Sequence, residues 1–359
     1  MCDQCNTADR LAMIQAARIA ADEIAGRYLR LRLHKVYDLG DSNGFDRAVS
    51  NLAGLLRAKV SDTDEDAVRA AVGVLDVNWS STTAAQRRDL ISRALTAAGR
   101  KTAAIPAKIQ VVFDDAADEV VRATRTMARR DQKLAISADF NSMDKRVIKH
   151  LKKSQSNFVS DEYGRRHEVF GMEARRIVSD GLESGLGRDD IARNLQKAAK
   201  KTLASKGSPY WDVVAGAFVG RGRSFAQLSA YHEARIDRYL FEAVLDEVTT
   251  DTCRFFHGKA FSVDRGIKLF EAVEENPDDI KNLNPWVRTG KNDSGEKVLY
   301  VSKNDQRIPI ATVASSSVGT RDEIGSFRGG RSEQELMDLG ISFPPLHGLC
   351  RSTTTSLGV

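Results

Sequence analysis

Long apolar runs are missing from this 359-residue chain. The longest candidate, residues 213–219, falls far short of the roughly 20 residues that a bilayer-spanning helix needs. The N-terminus has no apolar core behind a basic start, so the sequence predicts neither membrane insertion nor export by a signal peptide. Aromatic residues are scarce at 7%, and the four cysteines, at positions 2, 5, 253 and 350, have no spacing that resembles a small disulfide scaffold. A reducing compartment is therefore expected. No phosphate-cradling P-loop, dinucleotide fingerprint or Gly-x-Ser-x-Gly nucleophile turn is present. Hydrophobic residues at 42% and charged residues at 29% exclude wholesale disorder and a low-complexity fibre.

What is abundant is helix-forming sequence. Alanine pairs at 16–17, 20–21, 70–71, 97–98 and 198–199 lie within strings of good helix formers. Apolar residues Leu11, Ile14, Ala17, Ala21, Ile24, Tyr28 and Leu31 recur at steps of three and four, predicting a first long helix. Phe45, Val49, Leu52 and Leu56 predict a second, and Val68, Val72 and Leu75 a third starting near Ser61. Thr83 with Gln86 reads as a capping box, with Gly99 as the cap at the far end. Pro106 suits the first turn of another long helix carrying Ile109, Val112, Phe113, Ala116, Val120, Thr124 and Met127 on its inner side. Residues 208–245 predict one long helix, or two broken at Gly216, Gly220 or Gly222.

Net charge is only +5, but it is unevenly placed. Residues 100–206 hold 23 Lys and Arg against 15 Asp and Glu, a surplus of eight that leaves the remainder negative. Arg122, Arg125, Arg129 and Arg130, followed by Lys149, Lys152 and Lys153, read either as an ordinary solvated helix face or as a surface for phosphates of double-stranded DNA, bound without sequence preference. After Val248 the texture changes to Gly, Ser, Asn and Pro, with strand-like runs Val298-Leu-Tyr-Val-Ser302 and 308–313 and loop-like stretches 276–295 and 313–332. The expected fold class is a mainly α N-terminal and central helical region with a smaller α+β C-terminal domain, divided as 1–160, 161–245 and 246–359.

Two short pairs carry the clearest chemistry. Cys253-x3-His257 and His347-x2-Cys350, about 90 residues apart, form the two-plus-two layout of a tetrahedral zinc site. A Cys253–Cys350 bridge, or two unligated packed thiols, would account for the same residues. Cys2-x2-Cys5 also has ligand spacing but no second pair near it.

Asp251-Thr-Cys253, His257-Gly-Lys-Ala-Phe261 and Phe343-Pro-Pro-Leu-His347-Gly-Leu-Cys350-Arg-Ser-Thr353 resemble the end domain of the tailed-phage head-morphogenesis proteins, the minor head proteins of the Mu F type. Gly185-Leu-Gly-Arg-Asp-Asp-Ile-Ala-Arg-Asn-Leu195 resembles a helix start of the same family, and residues 224–245 lie where that family has a last helix running into a first strand at 244–248. The likeness covers about residues 165–359. Phe256 and Ser352 stand where the family has cysteines, which weakens any site of four thiolates. The resemblance implies a minor structural protein of a phage head, placed beside portal and capsid proteins and packaged DNA, in the virion and, during assembly, in the host cytoplasm. A metal-dependent nuclease using His257 or His347 with Asp251 is the rival reading. An ADP-ribosyltransferase is disfavoured, because Glu333-x-Glu335 precedes Ser352-Thr-Thr354, the reverse of that class's order.

Overall fold

A computed structural model describes residues 39–153, 156–204 and 209–358. The helix expected over Leu11 to Leu31, and Cys2 and Cys5, lie outside the described residues. The first described helix, α1 (Ser42–Leu75), is capped by Asp41, whose carboxylate accepts from the amides of Asn43 and Gly44 at 3.3 Å each. It is one helix where the sequence suggested two. The polar residues near Ser61 do not end it, because Thr63 and Asp64 are buried with partners: Lys108 donates to Thr63, and Tyr163 donates to Asp64 at 2.8 Å. At 1.5 Å per residue α1 is about 51 Å long, and it joins two apolar clusters. Its first half, with Leu52, Leu56 and Val60, packs into the larger core. Its second half, with Val68, Ala71 and Leu75, packs with Trp79, Ile91, Phe170 and Leu195.

α2 (Ala84–Thr102) begins with the expected Thr83–Gln86 capping box. It runs on past Gly99, whose carbonyl accepts the Ala103 amide at 3.0 Å, so Gly99 is helical interior and not a cap. α3 (Ile105–Arg130) has Pro106 in its first turn and buries Ile109, Phe113, Ala116, Val120, Thr124 and Met127, as the periodicity predicts. α4 (Ser142–Lys153), α5 (Ser156–Glu183) and α6 (Arg188–Thr202) follow.

α7 (Tyr210–Glu233) is continuous through Gly216, Gly220 and Gly222 and is buried around almost its whole circumference, with Trp211, Phe218, Phe225 and Tyr231 inside. Those glycines are sites of close approach and not breaks. A Cβ on Gly216 would sit 2.7 Å from the Gly348 carbonyl oxygen, and one on Gly220 would lie 3.2 Å from Pro345. The small residues thus let the segment 344–350, which contains a cis Pro344–Pro345 peptide, lie directly on the helix.

The smaller C-terminal region holds two antiparallel sheets. β1 (Arg238–Glu242) is central in one, between β2 (Ala260–Ser262) and β7 (Thr353–Leu357), with Tyr239 opposite Phe261 and Phe241 opposite Thr354. β1 lies upstream of the strand expected at 244–248, because α7 ends at Glu233. The second sheet is a meander of β3 (Val287–Lys291), β4 (Lys297–Lys303), β5 (Gln306–Ser315) and β6 (Ser326–Arg328). β4 and β5 are the strands expected from their β-branched residues. The stretches expected as loops also contain β3 and β6, which are short and polar. α8 (Asp251–Phe256), α9 (Val263–Glu275), α10 (Ile280–Leu283) and α11 (Glu333–Asp338) connect the strands. The chain is therefore mainly helical with a smaller α+β end. Its larger apolar core runs without interruption from Leu39 through α7 to Cys350, and the expected boundary near 245 does not divide it. Among the described residues no helix is long and apolar enough to cross a membrane.

Candidate metal centre

Cys253 sits on α8, a helix of six residues started by Thr250, whose hydroxyl accepts the Cys253 amide at 3.4 Å. His347 and Cys350 lie on the bend that follows the two prolines, where the Cys350 amide donates to the His347 carbonyl at 3.2 Å. This folding brings together residues that are 97 apart in the chain. Cys253 Sγ lies 3.7 Å from Cys350 Sγ and 3.2 Å from His347 Nε2. The three ligand atoms all fall within 4.8 Å of one another and could hold a metal ion. Both cysteines are free thiols, 4% and 0% exposed, while His347 is half-buried. One hydroxyl lines the group: Thr250 Oγ1 is 3.3 Å from His347 Nε2.

The sulfurs differ electrostatically. The hydrogen bond to Cys350, together with burial, pushes the Cys253 thiol up. At Cys350 burial opposes ionisation, but the hydrogen bond from Cys253 and the nearby His347 outweigh it and hold that thiol well below its usual range. One proton shared between two adjacent sulfurs gives such a split.

Two buried arginines, Arg223 and Arg254, and the half-buried Arg351 anchor the frame around this group. Arg223 on α7 donates to the carbonyls of Leu39 at 2.7 Å, Arg351 at 3.1 Å and Ser352. Arg254, one residue beyond Cys253 and fully buried, donates to the carbonyls of Thr249, Asp246, Thr320 and Glu323. Arg351 pairs with Asp246 at 2.5 Å and with Asp46 of α1 at 3.6 Å. Sequence reading missed Arg223 and Arg254. An arginine whose partners are backbone carbonyls leaves no charge pattern to find.

His257, expected as a fourth ligand, is not in the group. α8 ends at Phe256, and the His257 ring turns to β1 and the segment after it, where Nδ1 accepts the Ala243 amide at 3.1 Å. Asp251, the carboxylate considered for a nuclease, is also engaged elsewhere: it is buried, pairs with Lys297 at 2.5 Å and accepts the Ser316 hydroxyl at 2.8 Å.

The basic residues do not form one surface. Arg125 is 1% exposed, donating to Asp144 at 2.6 Å, Glu233 at 2.9 Å and the Ser137 carbonyl at 2.7 Å, so it ties α3, α4 and α7 together and cannot meet a phosphate. Arg122, Arg129 and Arg130 are exposed, Arg122 lying over Phe140 at 4.8 Å and Arg130 pairing with Asp131. Lys149 and Lys153 are exposed, and Lys152 is half-buried, 3.4 Å from Asp118. The Lys152 carbonyl accepts from Gln110 at 2.6 Å. That contact sets the lysines beside the start of α3, about 30 Å along the helix from Arg129 and Arg130.

Comparison of the chain with protein-family models, with curated proteins and with solved structures finds no match.

Proposed function

We propose that this chain is a minor structural protein of a tailed-phage head or related particle, in which Cys253, His347 and Cys350 hold one zinc ion that pins the end of the chain to α8. The observation that carries the reading is the convergence of the two motifs behind the resemblance, Asp251-Thr-Cys253 and His347-Gly-Leu-Cys350, on a single group of ligand atoms. A tetrahedral centre with Zn–S bonds of about 2.3 Å and a Zn–N bond of about 2.0 Å sets its sulfurs about 3.8 Å apart and sulfur and nitrogen about 3.5 Å apart. The observed 3.7 Å between sulfurs and 3.2 Å from Cys253 to His347 are close to both, and the remaining pair, Cys350 Sγ and His347 Nε2, lies within 4.8 Å. Thiolate and imidazole are the donors zinc prefers.

Three protein ligands leave one tetrahedral corner, which a water or a hydroxyl would fill. A hydrolytic zinc also needs a base beside it, and among the described residues the group contains no carboxylate. With Asp251 committed to Lys297 and Ser316, the arrangement supports a staple better than a nuclease. Portal and capsid proteins are the partners the resemblance implies, and the exposed Arg122, Arg129, Arg130, Lys149 and Lys153 are the residues that would touch packaged DNA. Quantitative mass spectrometry of purified particles tests the role. The chain is expected at low copy relative to the major shell protein. Equal stoichiometry, or absence from particles, would contradict it.

A further inference from the structure

The two sulfurs that the zinc reading assigns as ligands are also the two free cysteines among the described residues, and they face each other directly. We infer that Cys253 and Cys350 close into a disulfide when no metal holds them, so that one link has two forms: a metal site in reducing surroundings and a covalent bond in oxidising ones. The inference regulates the site proposed above, and its metal half rests on that reading.

Geometry favours closure. A disulfide needs its sulfurs about 2.0 Å apart, so the 3.7 Å pair must approach by under 2 Å. Cys253 sits on a capped helix and Cys350 at the end of a bend held against α7, so the approach falls to rotation of the two cysteine side chains. Both sulfurs are otherwise enclosed. A bulky disulfide reagent is therefore excluded, and a small hydroperoxide is the suitable oxidant.

The chemistry balances with hydrogen peroxide as oxidant. One thiolate attacks a peroxide oxygen, the O–O bond breaks, and a sulfenic acid forms with release of hydroxide, which takes up a proton to become water. The second thiol then attacks that sulfur, the S–S bond forms, and a second water leaves with the sulfenic oxygen. Two electrons pass from the sulfur pair to one peroxide, whose two oxygens leave as the two waters. With zinc bound, both thiolates would be engaged and the first step slowed.

The test uses the full chain with Cys2→Ser and Cys5→Ser, which leaves only the two thiols in question. Zinc content is measured first, and zinc-loaded and chelator-stripped samples are then treated with hydrogen peroxide. Intact mass and peptide mapping follow the cross-link, and trypsin resistance of the region after Val248 reports the link's structural effect. The stripped sample is expected to lose two hydrogens and yield a 253–350 cross-linked peptide, with the zinc-loaded sample reacting about tenfold more slowly because the metal masks the nucleophile. The oxidised form should regain trypsin resistance that the stripped, reduced form lacks. A protein that binds zinc but gives no cross-link overturns the inference and leaves the metal reading standing. One that binds no zinc yet cross-links overturns the metal reading and upholds the disulfide. Equal oxidation rates with and without bound zinc, or cross-linking that leaves the region trypsin-sensitive, would overturn the proposed exchange.

Discussion

His150 on α4 is 5% exposed, packed edge-on against Phe225 and Phe270, and its Nε2 has no hydrogen-bond partner among the described residues. Burial, followed by the charge of Arg221, brings its pKa down to about 4, with Glu274 pulling the other way and Lys153 adding to the shift. A folded-state pKa below the unfolded value means that the unfolded chain binds the proton first, so stability falls as pH drops from about 6.5 towards 4. Across that window the loss approaches about 3 kcal/mol. Urea unfolding at pH 7, 5.5 and 4.5 should show this decline in the native chain and a flatter one in His150→Leu; equal slopes would contradict the assignment. Nothing in the sequence separates this histidine from the surrounding lysines, because its environment comes from α7 and α9. His257 teaches the same lesson in reverse. Its spacing from Cys253 was legible and suited a ligand, but spacing does not say where a helix ends, and the end of α8 at Phe256 points the ring at Ala243.

Periodicity located most helices because apolar residues at steps of three and four must face a core. It failed where a helix has two cores, as in α1, and where small residues serve packing, as in α7. It also could not tell a buried cation from an exposed one. Arg125 shares the composition of its neighbours, yet it is the interior tie between α3, α4 and α7. The exposed basic residues, in two groups about 30 Å apart, suit weak and sequence-independent contact with duplex DNA. Changing Lys149, Lys152 and Lys153 to Glu should weaken binding and flatten its decline with salt, because about three fewer phosphates are neutralised. A gel-shift titration at low salt measures this, and no mobility shift with the native chain would contradict the proposed contact with DNA.

Across the whole molecule, the change in composition near Val248 marks where helices give way to sheets, and that much of the architecture is readable without coordinates. The continuous core is not readable, because it depends on the chain's last segment folding back. Gly216 and Gly220 receive the 344–350 bend, Arg223 takes the carbonyls of Arg351 and Ser352 just beyond it together with that of Leu39, and Gln227 and Tyr231 hold Thr354 at 2.8 and 3.0 Å. In this architecture a metal at Cys253, His347 and Cys350 would join the start of the α+β region to its end. Since the ligands meet only in the folded chain, zinc at about a hundredfold excess over its Kd should add about 3 kcal/mol to stability. Metal analysis of protein purified without chelator, made in parallel on His347→Ala and Cys350→Ser, tests this most directly. The account predicts one zinc per native chain, bound through two sulfurs and one nitrogen by X-ray absorption, and its loss in both variants. Well under one zinc in the native protein, or a content that neither substitution changes, would contradict it.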